Sequence, residues 1–340
     1  MYHTLIVGAI REETPGVQTL VFDGPPLPYQ AGQYLTLLHP QNPALRRSYS
    51  LSSAPAVNEQ LAITLRRIPN GAFSRYLTDI IRPGDALMTI GAGGFFTLPD
   101  AATPYQEVFF FAAGSGITPI YSLLKEVLYA RSPLRAVLVY SNRSPEETIF
   151  YRELTNLRAR FPERLHVEFL FSNHPELARA RLYKDRLKQL VRQHSRAPLA
   201  ETLAYVCGPL DYMRMCLYGL RELQVPLANI RRENFNPATV QPPRSVPPDT
   251  APHTVGLRLG TARYALTVQY PTSILAAAEQ HGLTLPYSCR TGICGSCVAR
   301  CVRGTVWMST NEVLTEREVA QGLVLTCVGF PGGDDAELQL

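Results

Sequence analysis

The sequence predicts three domains in succession: a β-barrel, an α/β domain built on a parallel sheet, and a small α+β domain. Three observations lead to this fold class. Short strand-like runs separated by turn residues fill the first hundred residues, alternating strand-like and helix-like runs follow, and a loop with three cysteines lies near the C-terminus. A stretch with five prolines and almost no apolar bulk precedes the last domain and indicates an extended linker. The predicted bounds are 1–102, 103–236, 237–252 for the linker, and 253–340.

The composition is that of a folded protein with room for more than one domain. The 340 residues are 46% hydrophobic and 18% charged, which excludes a disordered chain. The net charge of +5 includes no Lys/Arg run of nucleic-acid type, so we expect no nucleic-acid partner. No apolar run approaches the roughly 18 to 20 residues of a membrane span, and the start lacks a signal-peptide pattern, so we expect a cytoplasmic location. Seven cysteines, an odd number, argue against a disulfide framework.

The barrel prediction comes from short β-type runs at 5–7, 18–22 and 34–38, with turn residues between them. Within this region, alternation along an extended strand places Arg47 and Tyr49 on one side and Ser50 on the other. On this motif alone, an exposed strand with ordinary polar residues remains an alternative. A second conspicuous segment, Gly71-Ala72-Phe73-Ser74, follows about twenty residues later.

The middle domain is predicted from a change of period. An apolar run at 108–113 ends in Gly114-Ser115-Gly116-Ile117-Thr118-Pro119, and helix-like stretches at 120–129, 149–160 and 185–194 alternate with further strand-like runs. This alternation predicts a parallel sheet covered by helices on both faces. A Gly-rich turn between strand and helix can present its amides to a phosphate, although glycines needed only for tight packing remain an alternative.

The cysteine loop predicts an iron–sulfur site. Cys289, Cys294 and Cys297 are spaced as C-x4-C-x2-C and Cys327 follows thirty residues later, which is the spacing of a plant-type [2Fe-2S] centre. A zinc ribbon would show two C-x2-C pairs, and here there is one, so zinc and unligated cysteines are the weaker alternatives. Before the loop, 274–281 is predicted to be helical with Ser273 as N-cap.

Together, these motifs and Cys207-Gly208-Pro209 resemble the ferredoxin–NADP reductase superfamily with a fused plant-type ferredoxin domain, over the whole chain. The resemblance implies a flavin-binding β-barrel, a nucleotide-binding parallel-sheet domain and a β-grasp ferredoxin domain. Within the superfamily, the chain resembles reductase components of multicomponent oxygenases. It resembles the phenylacetyl-CoA epoxidase reductase type in Gly322, Val324, Leu325, Thr326 and Cys327 and in Pro69, Asn70 and Gly71.

The resemblance implies roles for the flavin residues. Arg47 would contact a flavin phosphate, for which its planar fork is suited, Tyr49 would pack on the isoalloxazine, and Ser50 would lie near flavin N5. FAD is expected rather than FMN. The phosphate-covering loop would comprise Gly71, Phe73 and Ser74. Glu233-Asn234-Phe235 stands where stand-alone reductases have a terminal aromatic over the flavin, so Phe235 is a further candidate.

The resemblance also implies roles for the nucleotide residues. Arg143, after the second strand, favours NADPH over NADH because it can pair with a 2′-phosphate. Ser141 and Tyr151 lie in the same region, and Arg181 is a weaker candidate because Ala180 replaces the glycine usual before it. The dinucleotide turn would comprise Gly114, Gly116, Thr118 and Pro119. The nicotinamide would be bordered by Cys207, Gly208 and Pro209.

The implied function is an NAD(P)H-dependent reductase. A hydride would pass to the flavin, and single electrons would then pass to the cluster held by Cys289, Cys294, Cys297 and Cys327 and on to a separate oxygenase or hydroxylase. We expect binding geometry to supply most of the catalysis, with no acid–base residue required. The alternative is a non-catalytic subunit that relays electrons from another enzyme. Four other residues are predicted to be core rather than site: Cys301, Tyr264, Trp307 and Met308.

Overall fold

The computed structural model describes residues 2–25, 27–99, 105–131, 133–235 and 246–340, without the side chains of Leu177 and Ala178. The chain divides into two compact units, Met1–Phe235 and Asn236–Leu340. The predicted barrel and the predicted parallel sheet both belong to the first unit. Part of the predicted linker, 236–245, lies outside the described residues, and the domain bounds at 102 and 252 stay predictions.

The first unit contains two sheets. The strands of the first sheet are β1 (His3–Thr14), β2 (Val17–Asp23), β3 (Tyr34–His39), β4 (Asn42–Ser50), β5 (Ala62–Arg66) and β6 (Ala86–Gly93). A short helix α1 (Ala72–Arg75) and a π-helical turn (Tyr76–Ile80) lie between β5 and β6. The strands of the second sheet are β7 (Glu107–Ala113), β8 (Arg135–Asn142), β9 (Leu165–Phe171), β10 (Thr202–Cys207) and β11 (Ile230–Glu233). Its helices are α2 (Ile117–Ala130), α3 (Tyr151–Arg160), α4 (Leu177–Ala180), α5 (Lys184–His194) and α6 (Leu210–Glu222).

The first sheet is antiparallel, with the order β4-β3-β6-β1-β2-β5. Alternate side chains of its strands form a buried core that includes Leu20, Leu35, Leu37 and Ile63. The alternation follows from the two-residue period of a strand, which turns every second side chain inward. The predicted barrel is confirmed.

The second sheet is parallel, with the order β11-β10-β7-β8-β9. Helices α2 and α3 cover one face and α5 and α6 the other, each over its own apolar core. Such double cover explains why the strands are apolar on both faces. The predicted parallel sheet is confirmed. The predicted helix at 149–160 begins only at Tyr151, because Phe150 has a left-handed backbone with φ of 59°.

Helix α2 is anchored to the segment that follows β4. The Ser122 hydroxyl donates to the carbonyl of Ser53, and the Lys125 ammonium pairs with the Glu59 carboxylate. The Lys125 side chain is only 6% exposed, and burial lowers its pKa against the opposing effect of Glu59. The helix that starts at the Gly-rich turn is therefore tied to the barrel by an ion pair in which the lysine is buried.

The second unit is an α+β domain. Its strands are β12 (His253–Leu259), β13 (Ala262–Val268), β14 (Val298–Arg303), β15 (Val306–Met308), β16 (Leu323–Leu325), β17 (Gly329–Pro331) and β18 (Ala336–Gln339). Its helices are α7 (Ile274–Gln280) and α8 (Glu316–Ala320). The main sheet has the order β13-β12-β18-β14-β16, in which β12 and β18 run parallel. The Ser273 hydroxyl accepts from Ala276 N at 3.3 Å, so the predicted N-cap of α7 is confirmed.

Two of the predicted core residues of this unit are not core. Tyr264 is 40% exposed in the edge strand β13, of which only Leu266 and Val268 are buried. Cys301 lies in β14 as expected, but its side chain is partly exposed and its thiol donates to the carbonyl of Arg303 at 3.2 Å. Trp307 and Met308 are partly buried in β15. In the described part of the chain, no helix has both the length and the apolar composition that a membrane crossing requires.

Candidate functional site

The predicted flavin residues lie at the end of β4, which pairs with β3 through Arg47↔Leu37 and Ser50↔Tyr34. Arg47 is exposed, and its Nη1 donates to the carbonyl of Arg46 at 2.7 Å, which leaves most of the guanidinium directed outward. Burial raises the pKa of the Tyr49 phenol, so Tyr49 stays neutral across the working pH range. A neutral ring beside an exposed guanidinium suits a flat aromatic group that carries phosphate.

The Gly71 loop supports this strand. The Phe73 ring is 2% exposed and meets the Tyr49 ring edge-on, with centroids 5.9 Å apart. The Ser74 hydroxyl accepts from Ile68 N and donates to the carbonyl of Gly71, both at 3.1 Å. A Cβ on Gly71 would lie 2.5 Å from that hydroxyl. These side chains therefore shape the loop and hold Tyr49.

Ser50 is hydrogen-bonded to a carboxylate, that of Glu233, for which the sequence predicted no role. The Ser50 hydroxyl donates to Glu233 Oε2 at 3.1 Å, across 183 residues of chain. Glu233 pairs with Cys207 in the register of β10 and β11, so Ser50, Cys207 and Glu233 come together. Burial raises the pKa of Glu233 to about 8, and the Ser50 hydrogen bond opposes that rise. Burial, and then the Glu233 charge, raise the pKa of the Cys207 thiol.

Glu233 can therefore gain and lose a proton near neutral pH. A carboxyl group with this behaviour, hydrogen-bonded to a hydroxyl at the edge of a site, suits proton exchange. The nearby Phe235 is 44% exposed. The sequence could have indicated Glu233 by its position, because it ends a short strand two residues before Phe235.

The Gly-rich turn joins β7 to α2 as predicted. Gly114 has φ of 54°, in the left-handed region that glycine adopts readily. A Cβ on Gly116 would lie 2.1 Å from the carbonyl oxygen of Cys207, so the turn packs directly on the end of β10. Thr118 and Pro119 are buried, and the Thr118 hydroxyl donates to the carbonyl of Ser115 at 3.1 Å. The turn amides and the Cys207 strand end thus lie together, as a dinucleotide site requires.

The neighbouring strand end of β8 carries the residues predicted to contact the far end of the nucleotide. Ser141 Oγ and Asn142 Nδ2 are buried, and neither makes a hydrogen bond of good geometry to another described residue. Such unsatisfied polar atoms fit a site that a polar ligand completes. The Arg143 side chain is 76% exposed and lies 3.6 Å from the Glu147 carboxylate. Tyr151 packs on Phe169, with centroids 4.9 Å apart.

The remaining candidates flank these strand ends. A Cβ on Gly208 would lie 3.0 Å from the Cβ of Ala113, so this glycine also permits close packing of two strand ends. Pro209 is the N-cap residue of α6. Arg181 is exposed at the end of α4.

The thiols of the four predicted ligand cysteines lie close together. The Cys294 and Cys327 side chains lower the pKa of the Cys289 thiol, and the Cys327 side chain lowers that of Cys297. Three ligand atoms that all lie within 4.8 Å of one another do not occur among these four residues. A single tetrahedral zinc would hold its sulfurs about 3.8 Å apart, so the arrangement fits two irons better than one zinc.

The cysteine loop is shaped to enclose a charged group. Gly292 and Gly295 both have φ of 78°, and a Cβ on Gly292 would lie 2.7 Å from the carbonyl oxygen of Thr310. The Thr291 amide donates to Cys289 Sγ at 3.4 Å and the Ser296 amide to Cys294 Sγ at 3.5 Å. Inward amides of this kind stabilise negative charge on sulfur.

A further group of potential metal ligands lies on β9, the edge strand of the parallel sheet, and on α5. His166, Glu168 and His194 have ligand atoms within 4.8 Å of one another. The two imidazole rings stack, with centroids 3.8 Å apart. Arg186 Nη2 lies 3.1 Å from Glu168 Oε1 and already supplies a positive charge. The cluster is therefore a charge-compensated part of the fold.

Comparisons with known proteins match both units of the chain. Family models match at 14–97 (oxidoreductase FAD-binding domain), 110–217 (oxidoreductase NAD-binding domain) and 261–332 (2Fe-2S iron-sulfur cluster binding domain). The chain is 31% identical to one subunit of the 1,2-phenylacetyl-CoA epoxidase of Escherichia coli K12, covering 97% of this chain and 95% of the relative. It is also 31% identical to the ferredoxin reductase component of 3-ketosteroid-9-alpha-monooxygenase of Mycobacterium tuberculosis, covering 98% and 94%. Phthalate dioxygenase reductase shares the fold, with a TM-score of 0.62 at 22% identity over 100% of this chain and 98% of that structure.

Proposed function

Because this chain belongs to the family of ferredoxin reductases that join FAD-binding, NAD-binding and 2Fe-2S domains, we propose that it delivers electrons from NAD(P)H to a separate oxygenase component. It is an oxidoreductase of the ferredoxin reductase type, and the family inferred from its motifs is confirmed. The observation that carries the proposal is the meeting of Ser50, at the end of the flavin strand, with Cys207 and Glu233, at the ends of the nucleotide strands. The names of the relatives support an oxygenase as the acceptor.

The residues of the first unit would hold the flavin and the nicotinamide nucleotide. When bound, FAD accepts two electrons together and releases them singly, which matches a nicotinamide to a one-electron cluster. Arg47 would neutralise phosphate and Tyr49 would cover the ring. The Gly116 turn would receive the pyrophosphate, with Cys207 beside the nicotinamide. We favour FAD over FMN because the matched domain model is an FAD-binding one.

Ser50 and Glu233 would manage the proton that accompanies the electrons. The Ser50 hydroxyl donates to Glu233, so a proton arriving at Ser50 Oγ can pass on to Glu233 Oε2 over 3.1 Å. With a pKa of about 8, Glu233 is mostly protonated at neutral pH, so the ionised fraction accepts the proton and the protonated form can return it. This assigns an acid–base group where the sequence alone led us to expect none.

Arg143 would select NADPH over NADH. Its guanidinium is exposed and only loosely paired with Glu147, so it is free to turn toward a 2′-phosphate. We expect Arg143→Ala to lower kcat/KM for NADPH about tenfold to a hundredfold, the effect of one charge-assisted contact, and to change kcat/KM for NADH little. Steady-state kinetics with both cofactors test this. An equal loss for both would place the phosphate contact elsewhere.

The order of the path is tested by a pair of variants. In Cys294→Ser, which disturbs one iron ligand, NADPH should still bleach the flavin at near the original rate in stopped flow, whereas cytochrome c reduction should fall steeply. In Gly116→Ala, the added Cβ meets the Cys207 carbonyl, so flavin reduction by NADPH should fall while dithionite still reduces the cluster. Flavin that NADPH alone cannot bleach in the unaltered protein would instead indicate a relay subunit fed by another enzyme.

A further inference from the structure

The hydroxyl of Thr291 is a buried donor in the cluster loop that the protein leaves unused. Thr291 lies between Cys289 and Cys294 in the sequence. Its Oγ1 is buried and makes no hydrogen bond of good geometry to another described residue. Buried hydroxyls nearly always have a partner, because a buried polar group that makes no hydrogen bond destabilises the fold. The partner of this hydroxyl is therefore to be sought in the group that the loop encloses.

The backbone holds Thr291 in place. Arg290 before it has φ of 60° and Gly292 after it has φ of 78°, two left-handed residues that fix the direction of the chain between them. The Arg290 guanidinium pairs with both Glu279 oxygens, at 2.9 and 2.5 Å, and lies 3.9 Å from the centroid of the Tyr287 ring. These contacts hold the chain on the N-terminal side of Thr291 in place.

The surroundings of the hydroxyl indicate what it would meet. The Thr291 amide already donates to Cys289 Sγ at 3.4 Å, so the residue faces that sulfur. The hydroxyl therefore lies beside a ligand sulfur, within a loop that is shaped to enclose the centre.

We infer that Thr291 donates a hydrogen bond to a sulfur of the iron–sulfur centre and thereby makes the centre easier to reduce. Reduction adds one negative charge, and a donor aimed at sulfur stabilises the charged form more than the neutral one. The inference rests on the proposed ligand set of Cys289, Cys294, Cys297 and Cys327. It concerns the potential of the cluster, which the arrangement of the four ligands alone does not set.

The test is an EPR-monitored redox titration of the holoenzyme, reduced with dithionite and mediators, in the unaltered protein, Thr291→Val and Thr291→Ser. Valine keeps the shape and removes the hydroxyl, and serine keeps the hydroxyl. We expect valine to shift the reduction equilibrium about threefold to tenfold toward the oxidised form, or roughly 30 to 60 mV at 59 mV per tenfold for one electron, and serine to restore it.

Iron and labile sulfide are measured in each variant. If valine reduces cluster loading, Thr291→Ala, which also lacks the hydroxyl, is titrated in its place. Fully loaded valine or alanine variants with the potential of the unaltered protein would overturn the inference, as would a serine variant that behaves like valine. Because dithionite supplies the electrons, a negative result here is distinct from a failure of NADPH to reduce the flavin, which would count against the proposed function.

Discussion

Glu233→Gln should stabilise the protein at alkaline pH and impair its turnover. The carboxyl group of Glu233 is held by burial at a pKa of about 8, against 4.5 in an unfolded chain. Below the unfolded pKa of 4.5, the carboxyl group is neutral in both states and costs the folded protein no stability. As pH rises from there to about 8, the unfolded chain releases this proton more readily than the folded protein, so the free energy of unfolding falls. Above about pH 8 this loss of stability is constant. Glutamine keeps the shape and an oxygen that accepts from Ser50 but never ionises.

The size of the effect follows from the shift. At about 1.4 kcal/mol per pKa unit, a rise from 4.5 to about 8 corresponds to about 5 kcal/mol. Glu233 keeps some exposed surface, so solvent screening reduces this to about 2 to 4 kcal/mol. For a unit of this size, that raises Tm by about 5 to 10 °C.

The assay is scanning calorimetry of the holoenzyme at pH 5 and pH 9 with matched ionic strength. The variant and the unaltered protein should have nearly equal Tm at pH 5, and the variant should be more stable at pH 9. Cytochrome c reduction should fall about tenfold to a hundredfold, because the proton acceptor is lost. The control is Glu222→Gln in the same unit. There Lys184 and Lys188 lower the pKa of the carboxylate, so the change should bring no gain at pH 9. A Glu233→Gln variant without extra stability at pH 9 would refute the reasoning.

Two further outcomes are expected. Cys301→Ala should keep its full iron and sulfide content and an unchanged visible spectrum. The Cys301 thiol is hydrogen-bonded to the Arg303 carbonyl, and the four predicted ligand cysteines complete the ligand set without it. Loss of iron would show that the ligand assignment is wrong. Glu59→Gln should lower Tm more than Lys125→Met. Glu59→Gln leaves the buried charge of Lys125 unpaired, whereas Lys125→Met removes that charge and leaves only the more exposed Glu59. Calorimetry measures both Tm values, and the reverse order would contradict a buried charge at this contact.

The local sequence determined the architecture and the chemistry of the cluster loop. The period of apolar residues distinguishes strands of the barrel from the alternating strands and helices of the parallel sheet, because each element must bury one face or both. Ser273 capping α7 is likewise a local interaction, between residues three apart. The cysteine spacing identifies a [2Fe-2S] site because three ligands come from one short loop, whose shape depends on its own glycines.

Only the tertiary structure decided which of those residues meet. Ser50 and Glu233 are 183 residues apart, and no periodic pattern relates them, so their contact arises when β11 joins the parallel sheet beside β10. The same is true of Gly116, whose lack of a side chain is required by the Cys207 carbonyl and would be required even without a phosphate. The raised pKa of Glu233 has the same origin. Burial of a charge is a property of what surrounds it after folding, and the residues that surround Glu233 come from distant parts of the chain.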